Sequence, residues 1–199
     1  MKVHIVFCHP SENSLTYELK ESYIKGLEAS DIDFTISDLY KKNFKSDISE
    51  KEYLCEANYD ESYISEDVLE EQKLINDADI LTFIFPLFWM DAPSKLVGWF
   101  SRVFTYGFRY YNDDVPSSMK TLKEVNFLIG TGSSFKDLKA DGKIDAIKTI
   151  FSKDRINDKA ENINFYFFSE TSHDKITNEL KAHYVNEVFE IGKDTLSNI

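Results

Sequence analysis

The stretch from Ile80 to Phe85, ILTFIF, is an unbroken run of apolar, aromatic and β-branched side chains. A strand with one wet face alternates in polarity. An unbroken run fits a strand covered on both faces, as in a parallel sheet with helices above and below. Pro86 has no N–H to give a ladder, so the strand ends there. Asp91 then offers a helix cap and Pro93 suits a first helical turn. Beyond them Leu96, Val97, Phe100, Val103 and Phe104 recur at helical spacing. Residues 86 to 92 are therefore a strand-to-helix loop at the carboxyl end of a buried strand, the edge at which open α/β sheets bind ligands.

The rest of the chain repeats the alternation. Val3 to Cys8 reads as a strand, Ser14 to Ala29 as a helix with Leu15, Leu19, Tyr23 and Leu27 on one face, and Phe34 to Ser37 as a short strand. Residues 38 to 64 read as an irregular excursion with a helical piece near Ser49 to Ala57. Then come a helix over Ser65 to Asn76, strands over Val125 to Ile129 and Ile163 to Phe168, and helices over Ile144 to Phe151 and Asp174 to Leu196. Five strands alternating with helices predict an α/β fold: a doubly wound, five-stranded parallel sheet of order 2-1-3-4-5 with helices on both faces. At 199 residues the chain fits one domain, residues 1–199.

Composition narrows the partners. A net charge of −12 and a pI near 4.8 offer no basic stripe for a phosphate backbone, so nucleic acid is not expected. The apolar runs are too short to span a bilayer, and MKVHIVFCHP enters a strand pattern directly, so no membrane insertion and a cytoplasmic location are expected. Cys8 and Cys55 lack metal spacing and read as free thiols. Asp113-Asp114, Glu66-Asp67 and Glu70-Glu71 lack the spacing of a cation site and read as solvated faces, so no metal is expected.

Three strand ends converge on one crevice: residues 9 to 15, 86 to 92 and 130 to 135. No GxGxxG or P-loop is present among the seven glycines. His9-Pro10-Ser11-Glu12-Asn13-Ser14-Leu15 feeds a helix amino terminus, whose free N–H groups suit a phosphate; the same residues equally serve as a plain cap and a satisfied strand-end histidine. Gly130-Thr131-Gly132-Ser133-Ser134 lets a backbone approach a flat ligand, or is a plain turn. Phe88, Trp89 and Met90 wall a planar ring or pack as core. Taken together the loops describe an aromatic-walled, phosphate-anchored slot, for which a flavin is the economical occupant.

FPLFWMDAPSKLVGWFSRVFTYGFRY resembles the FPLxWxxxPxxLKxWxxRVFxxGFAY segment of the NAD(P)H quinone oxidoreductases, the DT-diaphorase group of flavodoxin-like flavoproteins. HPSENSL is similar to their HxxxxSF/L loop, SDLYKKNF to their SDLYxMxF segment, and GTGSS stands where they have TTGG. The resemblance covers residues 3 to 135 in order. It implies a flavodoxin-like fold, FAD with FMN as the alternative, and a homodimer with active sites at the interface. It further implies ping-pong hydride transfer from NAD(P)H through the flavin to a quinone-like small-molecule acceptor. Carried over, His9, Ser14, Leu15 and Thr16 surround the flavin phosphates and ribityl chain. Pro86, Leu87, Phe88, Trp89 and Met90 lie against the isoalloxazine, with backbone N–H groups of this loop near its N5 and O4, and Thr131, Gly132 and Ser133 face its pyrimidine edge. Tyr110 and Trp89 border the substrate pocket, Tyr110 from the partner subunit.

The departures matter as well. Phe88 replaces the family's glutamine and removes a polar side chain from the ring's surroundings. The family's tyrosine and histidine relay has no counterpart in SSFKDLKADGKIDAIK, where Lys136 and Lys143 are only substitutes by position, so no catalytic proton relay is assigned. Tyr106, Phe108 and Tyr111 read as interface or core, and Trp99 and Arg102 as residues that orient their helix. Two other functions stand beside the enzyme: a flavin-binding regulatory subunit of a potassium efflux system, and a one-electron carrier of the flavodoxin type.

Overall fold

The computed structural model describes residues 1–111 and 117–196. Five strands, β1 (Lys2–Phe7), β2 (Asp33–Asp38), β3 (Ile80–Pro86), β4 (Leu122–Gly130) and β5 (Ala160–Phe168), form one sheet in the order β2-β1-β3-β4-β5. Every pairing is parallel. The helices are α1 (Leu15–Ala29), α2 (Glu50–Ala57), α3 (Glu66–Asp77), α4 (Ser94–Val103), α5 (Phe135–Ala140), α6 (Lys143–Thr149) and α7 (Asn178–Lys193). This is the flavodoxin-like arrangement expected from the alternation.

The central strand shows why its run is unbroken. Leu81, Phe83 and Phe85 point into one core with Leu96, Trp99, Phe100 and Val103 of α4, while Ile80 and Ile84 point into the other with Leu19, Tyr23 and Leu27 of α1. Phe83 stacks on Phe127 at 5.1 Å and meets Trp99 edge-on at 5.6 Å. Each such ring adds about 1.5–3 kcal/mol of burial, and each well-oriented aromatic pair about 0.5–1.5 kcal/mol more. Thr82, the one hydroxyl in the run, is satisfied by Tyr23 Oη at 3.0 Å.

A buried carboxylate lies where β1, β2, α3 and α4 meet. Glu71 of α3 is fully buried and accepts from Ser37 Oγ at 2.7 Å, Lys42 Nζ at 2.5 Å and Trp99 Nε1 at 2.9 Å. His4, equally buried, holds Thr35 Oγ1 at 2.9 Å and leaves Nε2 3.9 Å from Glu71, beyond hydrogen-bond reach. Burial pushes the Glu71 carboxyl up, but the donors around it outweigh burial and hold it down to about 2. Arg102 on α4 makes a second clamp: its guanidinium bonds Glu52, Asp67, Ser65 Oγ and the Lys45 carbonyl. Trp99 and Arg102 thus fix α4, the role expected of them.

The structure departs from the sequence expectations at element ends. Asp91 does not cap α4, which begins after Pro93 without a side-chain cap; its Oδ1 accepts instead from Ala92 N–H at 2.7 Å and pairs with Arg155 at 3.2 Å. α5 was not anticipated, because only Leu138 of its six residues is buried and so short a polar helix carries no periodic signal. The helix expected to end at Phe151 closes at Thr149 and continues as a π-helical segment, Ile150–Ile156, which stops where Asn157 turns left-handed at φ 51°. α7 begins at Asn178 and not at Asp174, since Thr177 Oγ1 caps it. Ser49 and Glu52 form a reciprocal capping box at α2, as its expected position allows. Asp113 and Asp114 lie outside the described residues.

The depressed Glu71 carboxyl has a signed consequence. Its pKa falls from 4.5 to about 2 on folding, so its contribution is fully present above about pH 4.5 and is lost as pH falls toward 2. Glu71→Gln keeps the shape but turns one acceptor into a donor facing Lys42 and Trp99. Urea unfolding at pH 7 is expected to show the variant destabilised by about 3 kcal/mol, and the gap to narrow by more than half by about pH 3. A gap that stays constant with pH overturns this account of the network.

Candidate functional site

The carboxyl edge of the sheet gathers the three anticipated loops, and packing shows how closely. A Cβ built on Gly130, at the end of β4, would lie 3.7 Å from Thr16 Oγ1 in the first turn of α1 and 3.9 Å from Pro86 Cα at the end of β3. Three segments far apart in sequence therefore meet within one van der Waals layer.

Ser14 is the amino cap of α1: its Oγ accepts from Tyr17 N–H at 3.1 Å and donates to the Ser11 carbonyl at 2.9 Å. His9 turns back on the same loop, where Nδ1 accepts from Ser11 N–H at 3.0 Å. The capping roles are thus filled by these side chains, and the ligand-facing capacity of the loop rests on the N–H groups of Leu15 and Thr16 at the open helix end. Thr16 is buried and Leu15 packs on the α1 side of the core. Cys8, at the foot of this loop, is no nucleophile, since burial pushes its thiol up to about 12.

The β3 loop is a tight two-residue turn. Phe88 N–H donates to the Asp91 carbonyl at 2.9 Å and Asp91 N–H to the Phe88 carbonyl at 3.1 Å, closing a bridge around Trp89 and Met90. Both enclosed residues are left-handed, at φ 52° and 65°. Leu87 N–H is held by the Gly130 carbonyl at 2.8 Å. Of the loop's backbone donors, Leu87, Phe88, Asp91 and Ala92 are thus committed, and Trp89 and Met90 have no partner among the described residues. The side chains divide in the same way: Leu87 and Met90 rest on the core, while Phe88 is 44% and Trp89 101% exposed.

The β4 loop is braced from a side the sequence reading did not count, the segment after β5. Thr131 N–H donates to the Phe168 carbonyl at 2.8 Å, Thr171 N–H to the Thr131 carbonyl at 3.1 Å and Glu170 N–H to the Ser133 carbonyl at 3.2 Å. Ser133 N–H reaches Thr131 Oγ1 at 3.4 Å, and Gly132 N–H has no partner among the described residues. Neither Gly130 nor Gly132 has a positive φ, and a Cβ on Gly132 would touch only Ser172 at 3.5 Å. Nothing in the fold demands glycine there, so what the two residues contribute is open space. Ser172 Oγ is buried beside that space. The signal that would have found this fourth loop is simply that β5 ends on the same edge as the others.

Tyr110 lies elsewhere. Its hydroxyl donates to Glu56 Oε1 at 3.0 Å, and burial together with that carboxylate pushes the phenol up to about 12. Tyr110 follows the carboxyl end of α4 and Trp89 precedes the amino end, so a ten-residue helix of about 15 Å separates the two within one chain. Lys143 pairs with Asp141 at 2.6 Å on the surface, and Lys136 stands on exposed α5. Among the described residues no metal-binding cluster occurs and no helix is long and apolar enough to cross a membrane. The crevice is thus a set of free backbone N–H groups from three loops around open glycines and exposed aromatics. Such an arrangement suits a planar ligand with carbonyl edges and an anionic tail.

Comparison with known proteins shows the family. Residues 1–152 match the family described as flavodoxin-like fold. The chain is 38% identical over 120 residues to NAD(P)H dehydrogenase (quinone) 1 of Cavia porcellus, covering 53% of this chain and 44% of that protein. It is 32% identical over 129 residues to ribosyldihydronicotinamide dehydrogenase (quinone) of Rattus norvegicus, covering 58% and 54%. The chain thus spans about half the length of the curated relatives it matches. Among solved structures, an NAD(P)H:quinone oxidoreductase from Methanothermobacter marburgensis superposes with a TM-score of 0.91 at 30% identity over 98% of this chain and 97% of that one.

The turn at Trp89 is strained where its side chain packs on nothing. Left-handed backbone costs a non-glycine residue about 1–2 kcal/mol. Trp89→Gly is therefore expected to raise stability by about 1 kcal/mol and the melting temperature by about 2–4 °C. Calorimetry of the variant checks this, and a lowered melting temperature refutes the strained turn.

Proposed function

The chain belongs to the flavodoxin-like fold family, and on that premise we propose that it is a flavin-dependent NAD(P)H oxidoreductase that passes hydride to a quinone-like small-molecule acceptor. The observation that carries this reading is the set of uncommitted N–H groups of Leu15, Thr16, Trp89, Met90 and Gly132 on one sheet edge. Bound there, a flavin supplies the two-electron chemistry that protein side chains lack.

Gly130 and Gly132 keep a Cβ out of the crevice, which fits a ligand of this kind. Leu15 and Thr16 would hold phosphate at the positive end of α1, with His9 and Ser14 shaping the loop. Pro86, Leu87 and Phe88 would back a planar ring, Trp89 and Met90 N–H would meet its polar edge, and Thr131, Gly132 and Ser133 would close the far side. FAD is the flavin we infer, FMN being the other outcome of the test.

We further infer a homodimer in which Tyr110 borders the partner's site; the length of α4 between Trp89 and Tyr110 and the full exposure of Trp89 support it. The free thiols Cys8 and Cys55 suit a reducing, cytoplasmic compartment.

Purified protein is expected to be yellow, to bleach anaerobically with NADH or NADPH, and to recover colour with menadione. The mass of the released flavin decides FAD against FMN. A colourless protein that takes up neither flavin overturns the reading. Gly132→Ala, which meets only ordinary contacts in the fold, is expected to keep its melting temperature without ligand. It should weaken flavin binding roughly five- to tenfold, the weight of one displaced hydrogen bond, as read by fluorescence titration.

A further inference from the structure

A cavity of about 600 Å³ lies away from the crevice, between α4, the 105–110 segment and the π-helical segment. Its size is that of a small-ligand pocket. Phe100, Phe104 and Tyr110 give it an aromatic wall, and among the described residues three cations, Arg109, Lys153 and Arg155, line it with one acid, Asp154. In a chain of net charge −12 that described lining is locally cationic.

The two arginines are built in and not draped over the surface. Arg109 is buried, and its Nε donates to the Arg155 carbonyl at 2.8 Å. The Arg155 guanidinium lies over the rings of Phe151 at 4.1 Å and Phe100 at 4.6 Å, and its Nη2 pairs with Asp91 at 3.2 Å. Its Nη1 is buried with no hydrogen-bond partner among the described residues, an unmet donor that a protein does not leave without cost. Arg109 has a carboxylate at 3.4 Å, the exposed Asp158, and Lys153 has none among the described residues. A guanidinium held flat by aromatic rings, as Arg155 is, recognises carboxylate, phosphate and sulfonate oxygens by charge and paired hydrogen bonds, while the rings accept an aromatic body.

We propose that this cavity is an anion-selective site for a planar aromatic ligand that carries a sulfonate, carboxylate or phosphate group. Tyr110 stands in its wall, and Asp91, which holds Arg155, closes the Phe88–Asp91 turn. The cavity therefore deepens the oxidoreductase reading, and rests on it, by favouring anionic acceptors or a phosphorylated donor.

The cavity itself is tested without turnover. Calorimetric titration of the purified protein with 2-naphthalenesulfonate and with neutral 2-naphthalenesulfonamide is expected to show the sulfonate bound about tenfold more tightly or better, with affinity falling as salt rises. Lys153→Glu, at an exposed position that tolerates the change, is expected to cut sulfonate binding about tenfold and leave the sulfonamide unchanged; Arg155→Gln is expected to cut it further. Equal binding of the two probes, or sulfonate binding indifferent to Lys153→Glu, overturns the proposal.

Turnover then identifies the source of the anion. In Lys153→Glu, a fall in kcat/KM for 1,2-naphthoquinone-4-sulfonate relative to 1,2-naphthoquinone assigns the cavity to the acceptor. A fall for NADPH relative to NADH assigns it to the donor phosphate, and two unchanged ratios overturn the link to the redox site. If neither nucleotide is oxidised at all, the oxidoreductase reading fails while the two naphthalene probes still decide the cavity.

Discussion

The position of the crevice depends on a charge buried under it. Removing a carboxylate from water costs several kcal/mol, and Glu71 is tolerated in the core because Ser37, Lys42 and Trp99 each bring it a donor from a different part of the chain. Those donors come from β2, the turn after it and α4, so satisfying one charge fixes where α3 and α4 lie against the sheet. Arg102 repeats the logic one turn further along α4, holding α2, α3 and the Lys45 carbonyl together. With α4 pinned at Trp99 and Arg102, and β3 pinned by its ladder to β4 as far as Pro86, the chain between Pro86 and Pro93 has both ends set. A turn confined in this way can hold Trp89 and Met90 in conformations they would otherwise leave.

Much of this fold was legible because its central strand is buried on both sides. The run Ile80–Phe85 reads as a two-faced strand only if helices cover both faces, and that requirement already implies the layers and the ligand edge. The helix α1 is legible from its apolar spacing, α3 from the run SEDVLEEQKLI, and α2 as a helical piece near Ser49 to Ala57. What failed was short or polar. α5 buries one side chain. β4 opens at Leu122, three residues before the expected Val125, and Glu124 is buried in the strand. Glu70-Glu71 lacks the spacing of a cation site and reads as a solvated face, and sequence alone does not show that Ser37, Lys42 and Trp99 converge on Glu71. A buried ion is a tertiary fact with no local signature.

The site was legible at the level of loops and less so at the level of atoms. The three segments do meet, as the Gly130, Thr16 and Pro86 distances show. His9 and Ser14 were assigned either to a ligand or to the loop, and in the structure both bond to the loop, leaving ligand contact to backbone N–H groups that a sequence does not display. The segment after β5 carries no motif, although its Glu170 and Thr171 make two of the bonds that shape the GTGSS turn and Phe168, at the end of β5, makes a third. Arg155 was missed for a different reason: it lies beyond the region where motifs match, and its importance comes from stacking on Phe100 and Phe151, which no spacing rule reveals.

The two departures from the family pattern have a common physical meaning. Phe88 removes a polar side chain on one side of the crevice, and the stretch after GTGSS lacks the tyrosine and histidine on the other. Both changes subtract side-chain polarity, and the structure leaves the edge polarised by the N–H groups of Leu15, Thr16, Trp89, Met90 and Gly132 instead. Backbone dipoles are fixed by the fold and do not titrate, so they stabilise negative charge on a ligand without reorganising and without exchanging protons with it. A site built in this way is suited to holding and polarising a cofactor that does its own chemistry. For the proposed oxidoreductase it would leave proton delivery to solvent or to the substrate, and discrimination among substrates to side chains outside the crevice.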